Sequence, residues 1–79
     1  MAGSLHSKSY DRFRRRLCKA RQDANLTQED LASRLGRPQS FVSKYERGER
    51  RLDVVEFFEI ADALGVDGVA LLQELFRPN

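Results

Sequence analysis

Cys18 and His6 are the side chains best suited to nucleophilic or metal chemistry, and each is the single residue of its type among 79. A structural zinc site takes about four ligands, usually Cys and His, so these two cannot close one. One cysteine also excludes a disulfide framework within the chain, and a reducing, cytoplasmic home suits it. There is no glycine-rich phosphate loop and no nucleophile elbow, and His6 stands in a polar N-terminal stretch that offers no positioned base. No enzymatic activity and no cofactor is therefore expected. Cys18 reads as a small, half-buried hydrophobe.

Charge is what the sequence holds in quantity. Fourteen Lys and Arg stand against twelve Asp and Glu, a net +2, and their distribution says more than their sum. Residues 1–22 carry seven basic groups against one acid, Asp11, whereas residues 52–79 carry Arg77 alone against six acids. A polyanion would be drawn to the N-terminal two thirds and repelled by the C-terminal third. The length limits the chain to one domain with a modest core. At 41% hydrophobic and 33% charged it is too apolar for disorder. Residues Met1 to Ser7 lack the apolar segment of a secretory signal. The longest apolar run, Val69 to Leu72, is far below the ~20 residues of a membrane span.

Periodicity and punctuation then supply the elements. Tyr10, Phe13, Leu17 and Ala20 share one helical face, which predicts a first helix from about Ser9, its N-cap, to Ala24 after a flexible tail over 1–8. Thr27, with Asp30 three residues on, opens a second helix bearing Leu31, Ala32 and Leu35, and Gly36 ends it. Pro38 is expected at the first position of a third helix reaching Arg47, with Val42 and Tyr45 inward and Gly48 as its stop. Asp53 caps a fourth helix to Leu64, with Val54, Phe57, Ile60, Ala61 and Leu64 inward, and Gly65 closes it. Asp67 caps a fifth, from about Gly68 to Phe76. The single domain, over 9–77, is thus all-α, and the turn between its second and third helices is short enough to force a sharp angle.

Residues 26–48 run Leu-Thr-Gln-Glu-Asp-Leu-Ala-Ser-Arg-Leu-Gly-Arg-Pro-Gln-Ser-Phe-Val-Ser-Lys-Tyr-Glu-Arg-Gly, and Ala63-Leu64-Gly65-Val66 follows. This pattern resembles the Cro and phage-repressor type, XRE-like family of helix-turn-helix regulators over roughly residues 10–75. The resemblance implies a compact five-helix, lambda-repressor-like DNA-binding domain whose third helix enters the major groove. It implies that Gln39 touches base edges, where an amide can pair bidentately with adenine. Ser40 would reach phosphate or base, or hold a hydrogen bond at the helix start. Ser43 would reach a base, and Lys44 a phosphate or guanine. Phe41, on a face expected to be wet, would touch a thymine methyl or pack on the second helix. Gln28 would clamp the DNA backbone and buttress Gln39, and Arg37, Arg50 and Arg51 would grip phosphates. Arg21 and Glu46 match a structural salt bridge between the first and third helices. The run Arg14-Arg15-Arg16 maps onto no contact motif and reads as a solvated face that adds long-range attraction for DNA.

The resemblance also implies an operator, an inverted repeat bound by a homodimer on half-sites about one DNA turn apart. Leu71, Leu72, Leu75 and Phe76, with Val55 and Phe58, are more apolar than one small core needs and are the expected dimer surface. Such a regulator would act by occupancy, as a repressor or controller protein that blocks or recruits RNA polymerase. The alternative is an antitoxin-like module that neutralises a protein partner.

Overall fold

The computed structural model describes residues 7–77. His6 and all of the expected tail except Ser7 and Lys8 lie outside these residues. Five helices follow one another: α1 Lys8–Asp23, α2 Gln28–Leu35, α3 Gln39–Arg47, α4 Val54–Leu64 and α5 Gly68–Phe76. No strand occurs among the described residues.

Local chemistry explains most of the boundaries. Thr27 and Asp30 exchange hydrogen bonds of 3.0 and 2.9 Å in a reciprocal cap at the start of α2. Asp53 and Glu56 do the same for α4, at 2.7 and 3.0 Å. Asp67 accepts from the Ala70 N–H at the start of α5. Two helix starts differ from expectation. Ser7, not Ser9, caps α1 by accepting from the Tyr10 N–H at 3.1 Å, so Lys8 is helical and not part of a tail. Pro38 is the N-cap of α3, not its first helical residue, because its ψ of 153° is extended. The sharp turn between α2 and α3 needs Gly36 at φ 67°, which only glycine adopts cheaply, and the Arg37 N–H then reaches back to the Ala32 carbonyl at 3.0 Å.

Leu17, Leu31, Val42, Tyr45 and Ile60 are fully buried where α1 to α4 meet, and Phe13 packs on Phe57 at 5.5 Å between ring centroids. Val54 was expected inward but is exposed. It is the first residue of α4 and precedes the inward stripe of Phe57, Ile60, Ala61 and Leu64. Leu71 and Leu75, two of the expected dimer residues, are buried in this core instead, because their four-residue spacing places both on the inward side of α5.

The basic run on α1 is not the solvated face expected of it. Arg14 Nη1 donates to the Glu46 carbonyl at 2.7 Å, tying α1 to the end of α3. Arg16 grips Glu74 of α5 through two bonds, at 2.7 and 3.3 Å, and Arg12 donates to the Leu75 carbonyl at 2.6 Å. Arg15 between them is exposed. A helix turns 100° per residue, so neighbouring arginines serve opposite flanks.

Candidate nucleic-acid interface

The outward side of α3 carries Gln39, Ser40 and Lys44, all exposed, with Ser43 half-buried between them. Its first turn has no side-chain cap and no acid. The Phe41 N–H turns back to the Pro38 carbonyl at 3.0 Å, and the positive end of the helix lies beside Gln39. Ser43 Oγ is spent in part on its own helix, donating to the Ser40 carbonyl at 3.3 Å.

Behind this face lies a chain of polar side chains. Arg21 of α1 donates to both oxygens of Glu46, at 2.7 and 3.1 Å, and its third nitrogen donates to the Leu26 carbonyl at 2.8 Å. Both side chains are nearly buried, so the charges meet in a medium that screens them weakly. Gln28 of α2 donates its amide to the same carboxylate at 2.9 Å. That bond leaves the Gln28 carbonyl facing Gln39, whose amide nitrogen lies 3.5 Å away, a long contact. One carboxylate thereby links α1, α2 and α3. Cys18 borders this group, with its sulfur 3.7 Å from Arg21 Nη2. Burial and the Glu46 carboxylate push its thiol up, away from reactive thiolate. Tyr45 lies deeper still, and burial pushes its hydroxyl strongly upward. Among the described residues that hydroxyl has no hydrogen-bond partner.

A second group sits at the flank of α3. Phe41 is only 8% exposed. It therefore does not present its ring on a wet face; Phe41, Val42 and Tyr45 form one inward stripe. The guanidinium of Arg37 lies 4.4 Å from the Phe41 ring centroid and that of Arg50 lies 4.9 Å away. Both reach Glu56. Arg50 makes a two-bond fork to it at 3.0 and 2.8 Å, and Arg37 approaches to 3.6 Å. The Arg50 fork, then the Asp53 N–H, hold the Glu56 carboxyl down to about 2. Arg51 turns the other way, over the ring of Tyr10 at 4.4 Å. Tyr10 in turn accepts from the Leu52 N–H at 3.0 Å.

Glu56 has no place among the residues expected from the sequence. Its spacing from Asp53 signals the helix cap. Its two arginines come from turns 19 and 6 residues away, which no local pattern connects. Away from α3, Val55, Phe58 and Phe76 are exposed and Leu72 is half-buried, joined by exposed Val54 and Val69. Leu72 and Phe76 also border an open apolar groove of about 350 Å³ with Tyr10, Leu52 and Phe57. No described helix is long and apolar enough to cross a membrane.

Comparison with known proteins gives a consistent result. The helix-turn-helix family model matches residues 19–71. An uncharacterised HTH-type transcriptional regulator of Sinorhizobium fredii is 42% identical over 52 residues, which is 66% of this chain and 68% of that protein. Among solved structures, an XRE-family like protein from Pseudomonas syringae pv. tomato is 52% identical with a TM-score of 0.83, over 85% of this chain and 82% of its own. The wild-type restriction-modification controller protein C.Esp1396I is 27% identical with a TM-score of 0.80, over 89% of this chain and 92% of its own.

Proposed function

The chain belongs to the helix-turn-helix family of DNA-binding transcriptional regulators, of the XRE type, and from that premise we propose that it reads an operator sequence as a homodimer, with α3 laid in the major groove. One observation carries this reading. Gln39 stands exposed at the uncapped start of α3, with its amide against Gln28, which is itself fixed on the Glu46–Arg21 pair. A side chain held before binding loses less conformational freedom on binding. In this reading Gln39 pairs with a base edge, and Ser40, Ser43 and Lys44 follow along the groove. Gln28, Arg37, Arg50 and Arg51 take the backbone phosphates that set the register.

One α3 covers few base pairs, so two copies on half-sites ~34 Å apart supply the specificity. Exposed Val55, Phe58 and Phe76, with Leu72, supply the contact between copies. Occupancy of the operator by such a dimer represses a promoter that it overlaps, or recruits RNA polymerase beside it.

Selection from random duplex DNA, repeated with Gln39→Ala, tests the proposal. The expected product is an inverted repeat that loses preference at one base pair per half-site in the variant. Selection without enrichment would overturn sequence-specific reading and favour an antitoxin-like role on a protein partner. Sedimentation at tens of micromolar protein checks the dimer separately, and a monomer there would remove it.

A further inference from the structure

Two arginines compete for one carboxylate at the flank of α3. Arg37 comes from the turn before α3 and Arg50 from the loop after it, yet both guanidiniums rest on Phe41 and face Glu56. Glu56 is nearly saturated. It accepts two bonds from Arg50 and one from the Asp53 N–H, and Arg37 stands at 3.6 Å.

The arginines are not saturated. A guanidinium carries five N–H donors. Arg50 gives one to Arg51's carbonyl and two to Glu56, which leaves two. The Arg37 guanidinium makes no closer polar contact than its 3.6 Å pair among the described residues. Their side chains are 37% and 39% exposed, so the pair is open to an approaching anion. The charge is likewise incomplete. Within the trio, two cations against one anion leave one positive charge, which Asp53 offsets from further off only for Arg50, and a phosphodiester would complete the balance at Arg37.

We propose that Glu56 is the positioning residue of a two-arginine phosphate clamp, with Phe41 as the surface on which both guanidiniums rest. The inference depends on the reading above that this chain binds DNA. Glu56 offsets the repulsion between the two cations in the free protein and holds their forks in one orientation. Long side chains are otherwise costly to immobilise on binding. Its own negative charge near the DNA backbone is the disadvantage, and positioning outweighs it.

That balance gives a test of definite sign. Affinity for mixed-sequence duplex DNA is measured at low salt, below the melting temperature of each variant. Glu56→Gln adds one unit of positive charge, so charge counting alone predicts tighter binding. The clamp predicts binding about tenfold weaker. Arg50→Lys keeps the charge, loses the two-bond fork and leaves the α4 cap untouched, and it should weaken binding similarly. In an Arg50→Ala background Glu56→Gln should have little further effect, because Glu56 acts chiefly through Arg50.

Equal or tighter binding by Glu56→Gln overturns the clamp and leaves DNA binding standing. A tenfold loss that persists in the Arg50→Ala background also overturns it, since Glu56 would then act through the fold. Wild-type protein that binds no duplex overturns the DNA-binding reading and the clamp with it.

Discussion

Glu46 and Glu56 are both buried carboxylates on short helices, and arginine forks from other segments grip both. Their neighbourhoods differ in stoichiometry and in depth. The Glu46 carboxylate meets one arginine, whose side chain is almost buried, and also accepts from Gln28. The charges cancel, and four of the five Arg21 donors are taken up by Glu46, Leu26 and Cys18. Glu56 meets two arginines whose side chains are more than a third exposed. Its group keeps a surplus charge and unused donors. The same pair of residue types therefore makes a structural joint where the charges close, and a receptor for an anion where they do not.

The largest test of this contrast is Arg21→Ala. It leaves the Glu46 carboxylate buried without its cation, which costs about 3–5 kcal/mol for such pairs. Arg15→Ala removes an exposed arginine from the same helix and should stay within about 0.5 kcal/mol of wild type. Urea midpoints of the two variants check this, and equal midpoints would break the contrast.

A smaller effect belongs to Glu56, and it depends on pH. The folded carboxyl lies at about 2, below its ordinary 4.5. The unfolded chain therefore takes up the proton first as pH falls. The stability Glu56 contributes is fully present above 4.5 and is lost as pH drops toward 2. The stability difference between wild type and Glu56→Gln should shrink over that window. A difference that stays constant from pH 6 to about 2 would show that the Arg50 pair does not lower this carboxyl.

The smallest expected effect is at Tyr45. Its buried hydroxyl has no partner among the described residues. Tyr45→Phe should leave stability unchanged or raise it by up to about 1 kcal/mol. A clear loss would show that the hydroxyl is satisfied in solution and belongs with the Glu46 group.

Much of the fold was legible because helix ends are local. Thr27 with Asp30, Asp53 and Asp67 all cap within three residues, and Gly36, Gly48 and Gly65 all take the left-handed conformation that ends a helix. Ser7 was harder to find, since Ser9 is an equally good cap by type. Phe41 shares its inward spacing with Val42 and Tyr45, but the resemblance sets it among the outward contact residues of α3, and only packing against the core separates the two faces. On α5, the excess of apolar residues was legible. Its division between a buried pair, Leu71 and Leu75, and exposed Phe76 was not.

The sequence by itself determined where the five helices begin and end to within a residue or so, and it marked the second and third as a helix-turn-helix. Caps, glycine stops and apolar periodicity act over three or four residues, so neighbours in the chain suffice. The resemblance already matched Arg21 with Glu46, but only the tertiary structure decided that Arg16 meets Glu74 and that Arg37 and Arg50 meet Glu56. Arg21 reaches Glu46 across 25 residues and Arg16 reaches Glu74 across 58. Nothing in their spacing distinguishes them from Arg15, which is exposed. Those meetings depend on the angles at which the helices cross. The angles are set by how Leu17, Leu31, Val42, Tyr45 and Ile60 fill one small core.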